Sequence, residues 1–232
     1  MSVRGRLLLA ASGLLCVTLC QAAPDFAGAS ASEDARFAAG QVLDANDHRG
    51  LPFAIVDKRD ARIYVFEPSG RLIGASAVLL GAAIGDRVVL DAELRIPGRP
   101  TLDERTTPAG RFASQPGRND KGEAIVWIDY QASLAIHRLR AAPAAERRAE
   151  RLASPARDDK RISLGCVVVP VEFYESVVAP SLGRSRGVVY VLPESRPAQA
   201  LFDAAMVAGA SAAPASIAAS NSARAGRDSG ST

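Results

Sequence analysis

The chain has 232 residues, of which 48% are hydrophobic and 23% charged, and its formal net charge is +3. This composition suits one globular domain with flanking segments, and it excludes a collagen, a coiled coil and a wholly disordered chain. Because only 5% of the residues are aromatic, we expect a core built mainly from Val, Ile and Leu.

The first 23 residues have the pattern of a secretory signal peptide. Arg4 and Arg6 precede an apolar run at 7–19, and small residues follow it up to Ala23. The run is shorter than the roughly 20 residues that a membrane-spanning helix needs. We therefore predict cleavage near Ala23, a periplasmic location and no stable membrane span after processing.

Removal of this segment changes the charge and the cysteine content of the mature chain. The segment carries two arginines and no acid, so the net charge falls from +3 to +1 and no nucleic-acid partner is expected. Cys16 and Cys20 are also lost, which leaves Cys166 as a single cysteine. Lipidation of Cys20 is the less favoured alternative, because Thr18 and Leu19 provide no small residue just before it.

Two segments that flank the fold have a biased composition. Residues 24–50 are rich in Ala, Asp and Gly and are interpreted as a linker with at most a weak helical stretch. Residues 198–232 form a low-complexity tail, and from about 204 onward they contain almost no large apolar residue that could offset the entropy of ordering. We expect that tail to be disordered and residues 51–197 to carry the fold.

The middle region predicts a mostly β fold. Short apolar or β-branched runs separated by turn residues predict the following strands: 53–56, 63–66, 71–80, 125–128, 134–137, 166–169 and 188–192. A helix is predicted over 171–178, directly after Pro170. The stretch 143–152 is rich in helix-forming and charged residues, and we interpret it as a solvated insertion.

The sequence contains two histidines and they differ in context. His48 lies in a polar stretch and is expected on a surface loop, whereas His137 ends the apolar run 134–136. A strand end both positions a side chain and leaves it accessible. A lone histidine there is ordinarily structural, but next to a reactive thiol it is the usual base.

Cys166 lies between Gly165 and a run of three valines. This pattern predicts a tight turn near a helix N-terminus, where aligned peptide dipoles favour the thiolate. Gly165 would let main-chain N–H groups turn toward a substrate oxyanion. The alternative is that Cys166 is a small buried hydrophobe.

Three ordered motifs resemble a known family. The segment RISLGCVVVP at 161–170, His137 upstream of it and TPAGRF at 107–112 are similar to the catalytic domain of the L,D-transpeptidases, the YkuD family, over about residues 51–195. The resemblance implies a β-sandwich-like domain with a short helix beside the cysteine loop. It also implies Cys166 as nucleophile and His137 as base. Because no Asp or Asn stands out in the sequence for the role, we expect a backbone carbonyl to orient the histidine. No metal-binding spacing is found, so no cofactor is expected.

The sequence departs from the family pattern at several positions. Leu164 stands where a histidine is usual, and Val168 replaces an Arg or Asn and so removes a polar group from the cleft. His137 is followed by Arg138 and not by the common glycine. The charged segment 143–159 lengthens the separation of His137 from Cys166 and is interpreted as a flap or insertion beside the cleft.

Further side chains are weaker candidates. Arg138 and Arg161 are considered for contact with substrate carboxylates. Ser163 is assigned either to the cleft or to shaping the cysteine turn, and the TPAGRF segment, with Thr107, to a strand-entry turn with a structural role.

The resemblance implies a two-step acyl transfer on tetrapeptide stems of peptidoglycan. Cys166 would form a thioester, and an amine of another stem or of an envelope protein would resolve it. A cysteine amidase or carboxypeptidase and a peptidoglycan-binding module with a degenerate site are the alternatives.

Overall fold

The computed structural model describes residues 23–87 and 101–203. Ten strands and a few short helices make up this part, so the mostly β prediction is confirmed. The strands are β1 Phe53–Asp57, β2 Arg62–Phe66, β3 Leu72–Ala77, β4 Leu80–Gly81, β5 Gly110–Arg118, β6 Ala124–Asp129, β7 Leu134–Arg138, β8 Arg161–Ser163, β9 Val167–Val169 and β10 Gly187–Val191. The helices are α1 Glu33–Asp44, α2 Arg148–Ala153 and α3 Val171–Phe173, which continues as a π-helical turn over Tyr174–Val178.

Eight strands form one mixed sheet in the order β3-β2-β1-β10-β5-β6-β7-β9, and β4 pairs with β8 in a second, two-stranded sheet. The β1–β10 and β7–β9 pairs are parallel, and the other pairs of the large sheet are antiparallel. Apolar side chains cover the centre of the sheet on both faces, since Phe53 and Ile55 join one core cluster and Ala54 and Val56 the other. Burial on both faces explains why these strands read as continuous apolar runs.

Each predicted strand corresponds to one or two observed strands, but the longest observed strand was not predicted. β5 contains Pro116 and Gly117, which are typical of turns. Its first half pairs with β10 and its second half with β6. Gly117 is required there because a β-carbon would lie 2.4 Å from the Trp127 ring. This segment is therefore a strand because of pairing with residues distant in sequence, which its local sequence does not indicate.

The prediction that residues 24–50 are a linker is wrong, because they contain α1. Ser32 caps this helix by accepting a hydrogen bond from the Ala35 N–H at 3.0 Å. The buried residues follow helical spacing and pack on one face of the large sheet: Ala35, Ala38, Ala39 and Val42. The buried stripe of α1 is built mainly from alanine, so its sequence resembles a low-complexity linker. Only the tertiary structure shows that a sheet covers this stripe.

Two further expectations differ from the structure. His48 is buried and not on the surface, with Nε2 3.0 Å from the Pro68 carbonyl oxygen. The chain beyond residue 197 is ordered for one more turn, because Leu201 is buried and Phe202 stacks on Tyr190. The rest of the predicted tail, 204–232, and the predicted signal peptide lie outside the described residues. Within the described ranges, no helix combines the length and the hydropathy needed to cross a bilayer.

Candidate active site

One cleft with a volume of about 910 Å³ is lined by both Cys166 and His137. β5, β6 and β7 contribute to its walls, together with the turn after β6, the chain that leads into α2 and the cysteine turn. Its lining residues are Arg118, Asn119, Asp120, Ile125, Trp127, Tyr130, Gln131, Ser133, Ala135, His137, Arg140, Ala141, Ala142, Pro143, Arg148, Ser163, Leu164 and Cys166.

Strand pairing brings the cysteine turn next to the strand that carries the histidine. β7 and β9 are parallel neighbours, with His137 opposite Val168. Cys166 directly precedes β9 and therefore lies at the start of the strand that pairs with β7. Ile136 and Val167, which pair with each other one position earlier, belong to the core.

His137 is held as a neutral imidazole. Its Nδ1 lies 2.8 Å from the carbonyl oxygen of Arg138, which can only accept, so Nδ1 carries the proton and Nε2 is left as the acceptor. Burial, with smaller contributions from the charges of Arg140 and Arg148, lowers the pKa of His137 to about 4, although the hydrogen bond to the Arg138 carbonyl opposes this shift. At neutral pH the ring is therefore in the form that a general base needs.

The cysteine turn is held from within by Ser163. Its hydroxyl donates to the Cys166 carbonyl oxygen at 2.7 Å and accepts from the Gly165 N–H at 3.1 Å. Ser163 lines the cleft, but these contacts assign its hydroxyl to shaping the turn. The Gly165 N–H is therefore engaged by Ser163, and the role of Gly165 in turning neighbouring N–H groups toward an oxyanion stays a prediction. The Cys166 thiol is half-buried and donates to the Ser133 carbonyl oxygen at 3.4 Å.

Gly165 and Thr107 join the cysteine turn to the TPAGRF segment. Gly165 has φ +144°, and a β-carbon there would lie 2.8 Å from the Thr106 carbonyl oxygen, so only glycine fits. The Thr107 hydroxyl donates to the Gly165 carbonyl oxygen at 2.8 Å and accepts from the Gly81 N–H at 2.8 Å. Thr107 is fully buried and acts structurally, as predicted.

The prediction that a helix N-terminus activates Cys166 is wrong. α3 begins at Val171, and β9 and Pro170 lie in between. Five extended residues span roughly 16 Å at about 3.3 Å per residue. The helix dipole acts on groups within its first turn, so it does not reach the sulfur.

The arginines predicted to contact substrate are engaged elsewhere. Arg138 pairs with Glu175 at 3.2 Å. Arg161 pairs with Glu194 and donates to the Lys58 carbonyl oxygen at 2.9 Å. Neither side chain lines the cleft, because both are directed to other parts of the fold.

The two departures from the cysteine motif have different surroundings. Leu164 is exposed at the cleft. Val168 is fully buried and packs with Leu79 and Leu152, so it leaves the cleft altogether. The segment 143–159 lies beside the cleft, as predicted, because Pro143 and Arg148 line it.

Sequence reasoning missed the cations and aromatic rings of the cleft. Arg118, Arg140 and Arg148 line it, and so do Trp127 and Tyr130, whose rings meet edge to face with centroids 5.0 Å apart. The charged composition of the insertion was a signal for the cations. Which of its arginines face the cleft depends on how the segment folds back.

Comparisons with known proteins give likenesses at low identity. No protein-family model and no curated protein matches the sequence. Among solved structures, the chain is similar to an L,D-transpeptidase of Xylanimonas cellulosilytica, with 17% identity, 65% of this chain and 67% of that chain covered and a TM-score of 0.38. It is also similar to the helical cell shape determining protein of Campylobacter jejuni, with 15% identity, 63% and 49% coverage and a TM-score of 0.40.

A third similar structure is the catalytic domain of an L,D-transpeptidase of Enterococcus faecium, with 14% identity, 62% of this chain and 98% of that chain covered and a TM-score of 0.33. The chain spans about half the length of several solved structures it matches. L,D-transpeptidase catalytic domains, the family that the cysteine motif resembles, recur among the solved structures to which this chain is similar.

Proposed function

We propose that this protein is a cysteine acyltransferase of the L,D-transpeptidase type that acts on tetrapeptide stems of peptidoglycan. The observation that carries the proposal is that Cys166, directly before β9, and His137, on the neighbouring strand β7, line one cleft. The bond from His137 Nδ1 to a carbonyl leaves Nε2 to accept a proton. A thiol, a neutral base and a third group that orients the base are the parts that nucleophilic catalysis requires.

In the first step, His137 Nε2 takes the proton of the Cys166 thiol. The thiolate attacks the carbonyl carbon of the third stem residue, and the bond from that carbon to the nitrogen of the terminal D-alanine breaks. The departing amine takes the proton from His137, and a thioester remains on Cys166. The thiol must first leave the Ser133 carbonyl that it contacts without substrate, in keeping with the loose contacts of substrate-free sites.

In the second step, the amine of an acceptor attacks the thioester carbonyl and gives a proton to His137. The bond from carbon to sulfur breaks, the sulfur takes the proton back, and a new amide is formed. The acceptor is a second stem or an amine of an envelope protein. Attack by water in place of the amine gives hydrolysis.

The experiment incubates the purified protein and its Cys166→Ala variant with tetrapeptide muropeptides and reads the products by mass spectrometry. We expect a cross-linked dimer that has lost one D-alanine, formed only when Cys166 is present. If monomeric tripeptide were the sole product, the protein would be a hydrolase and not a transferase. Absence of any product that depends on Cys166 would favour a binding module with a degenerate site.

A histidine pair provides the matched control for the base. His137→Gln should abolish the dimer. His48→Gln should retain it, because His48 is buried against the Val42 and Pro68 carbonyls outside the cleft. Equal loss in both variants, with folding verified by circular dichroism, would contradict the role of His137.

The same proposal places the activity in the periplasm after removal of the N-terminal signal. Near the start of the described residues, the Asp25 N–H donates to the Gly70 carbonyl oxygen at 3.0 Å and Phe26 packs in the core. Cleavage near Ala23 therefore removes none of the described contacts. N-terminal sequencing of the protein recovered from a periplasmic fraction checks this, and an intact Met1 would contradict it.

A further inference from the structure

The cleft has a cationic wall. Arg118, Arg140 and Arg148 line it together with Cys166 and His137, and Asp120 is the one acidic residue among its described lining. Because His137 is neutral, the side chains that line the cleft carry more positive than negative charge, and the glutamates that pair with Arg140 and Arg148 do not line it.

Two of these arginines are positioned with their terminal nitrogens available. The Nε of Arg140 lies 2.9 Å from Glu123 Oε2, and the Nε of Arg148 lies 2.5 Å from Glu146 Oε2. Within residues 23–87 and 101–203, the two Nη atoms of each side chain have no hydrogen-bond partner. A guanidinium presents five N–H donors in a planar fork that matches a carboxylate, so each retains the capacity to bind one.

The segment that carries Arg148 is anchored, not loose. Lys160 is buried, and its Nζ donates to the carbonyl oxygens of Arg151, Leu152 and Ser154 at 2.7, 2.7 and 2.6 Å. These bonds satisfy carbonyls at the C-terminal end of α2. Leu152 of the same helix packs on Val168, which lies opposite His137 on the adjacent strand. Arg148 is thus held in place before substrate binds, which reduces the entropy cost of binding.

The charges of Arg140 and Arg148 act on the catalytic imidazole, because both oppose its protonation. In the proposed reaction His137 delivers its proton to the nitrogen of the leaving D-alanine. The carboxylate of that residue is two bonds from this nitrogen. A substrate seated for reaction therefore carries its terminal carboxylate beside His137, within the field of the two arginines.

We propose that Arg140 and Arg148 form a carboxylate-binding site for the C-terminal carboxylate of the acyl donor. This inference rests on the proposed function, because the location of the carboxylate follows from the residue that leaves. The insertion at 143–159 thereby sets donor specificity, since it supplies Arg148 to the cleft. Donors whose terminal carboxylate is amidated bind weakly.

The test measures binding without turnover. In the Cys166→Ala protein, isothermal titration calorimetry compares a tetrapeptide stem that ends in free D-alanine with the same peptide ending in D-alaninamide. Loss of a hydrogen bond to a charged group corresponds to about tenfold or more in affinity, so we expect the amide to bind at least that much more weakly. Arg148→Gln and Arg140→Gln should weaken the free acid similarly and leave the amide unchanged.

Arg147→Gln is the matched control. It removes the same charge at the adjacent position, but Arg147 is exposed, pairs with Glu150 and does not line the cleft. It should leave the affinity for both peptides unchanged. Equal binding of acid and amide, equal weakening of both peptides in the cleft variants, or no binding of either peptide would each overturn the carboxylate site. A protein that binds as expected but yields no product dependent on Cys166 would instead refute the proposed function and leave the site standing.

Discussion

Replacement of Thr107 by valine tests how the cysteine turn is held. The Thr107 hydroxyl makes two bonds of 2.8 Å, one to the Gly165 carbonyl oxygen and one from the Gly81 N–H. Thr107, Gly165 and Gly81 are all buried, so no water replaces the hydroxyl in the variant. Valine keeps the shape of the side chain and leaves both main-chain groups without this partner.

The expected cost follows from these two lost bonds. A buried polar group left without its partner costs about 1–3 kcal/mol, and the additional buried methyl group returns about 1 kcal/mol. Two such groups together cost about 2–6 kcal/mol, so we expect Thr107→Val to lower the free energy of unfolding by about 1–5 kcal/mol, with a central value of about 3 kcal/mol. This is less than the whole stability of an ordinary domain, about 5–15 kcal/mol, so the variant should fold.

The assay is urea unfolding at pH 7, followed by the fluorescence of Trp127, the single tryptophan of the chain. Thr107→Ser is the control, because it keeps the hydroxyl and loses one methyl group, which costs about 1 kcal/mol. Turnover that depends on Cys166 should fall further in the valine variant than in the serine variant, since Gly165 directly precedes Cys166. A valine variant as stable as the serine variant would refute the account of the Thr107 bonds.

Two further outcomes follow from the site. Gly165→Ala should lower the free energy of unfolding by at least about 1–3 kcal/mol, because φ is +144° and the new β-carbon would meet the Thr106 carbonyl; an unfolding midpoint equal to that of wild type would exclude this strain. The pKa of His137 is lowered from 6.5 to about 4, so the unfolded chain binds the extra proton first and stability falls as the pH drops from 6.5 through 4. This loss of unfolding free energy amounts to about 3 kcal/mol at most. It should be absent from the plot of unfolding free energy against pH for His137→Gln between pH 6.5 and 4, and parallel plots for the variant and the wild type would contradict the prediction. The acid limb of turnover should lie near pH 4 for the same reason.

The sequence determined the parts of the fold that local pattern encodes. Strands β1, β2, β6, β7 and β10 were predicted because their apolar runs are buried on both faces or alternate across the sheet. The helix after Pro170 was predicted because proline favours the first helical turn. The candidate pair Cys166 and His137 also came from sequence, since few residue types perform nucleophilic chemistry and the chain offers few of them.

The tertiary structure decided whatever depends on partners distant in sequence. The Ala-rich α1 is a helix because a sheet face covers its alanines, and β5 is a strand despite its proline because β10 and β6 pair with it. It also decided which charges face the cleft: Arg138 and Arg161 turn to Glu175 and Glu194, whereas Arg140 and Arg148 line it. A side chain's direction depends on the register of its strand and on the charges packed around it. Local sequence encodes neither of these, so the candidate nucleophile and base could be named from the sequence, but their electrostatic surroundings could not.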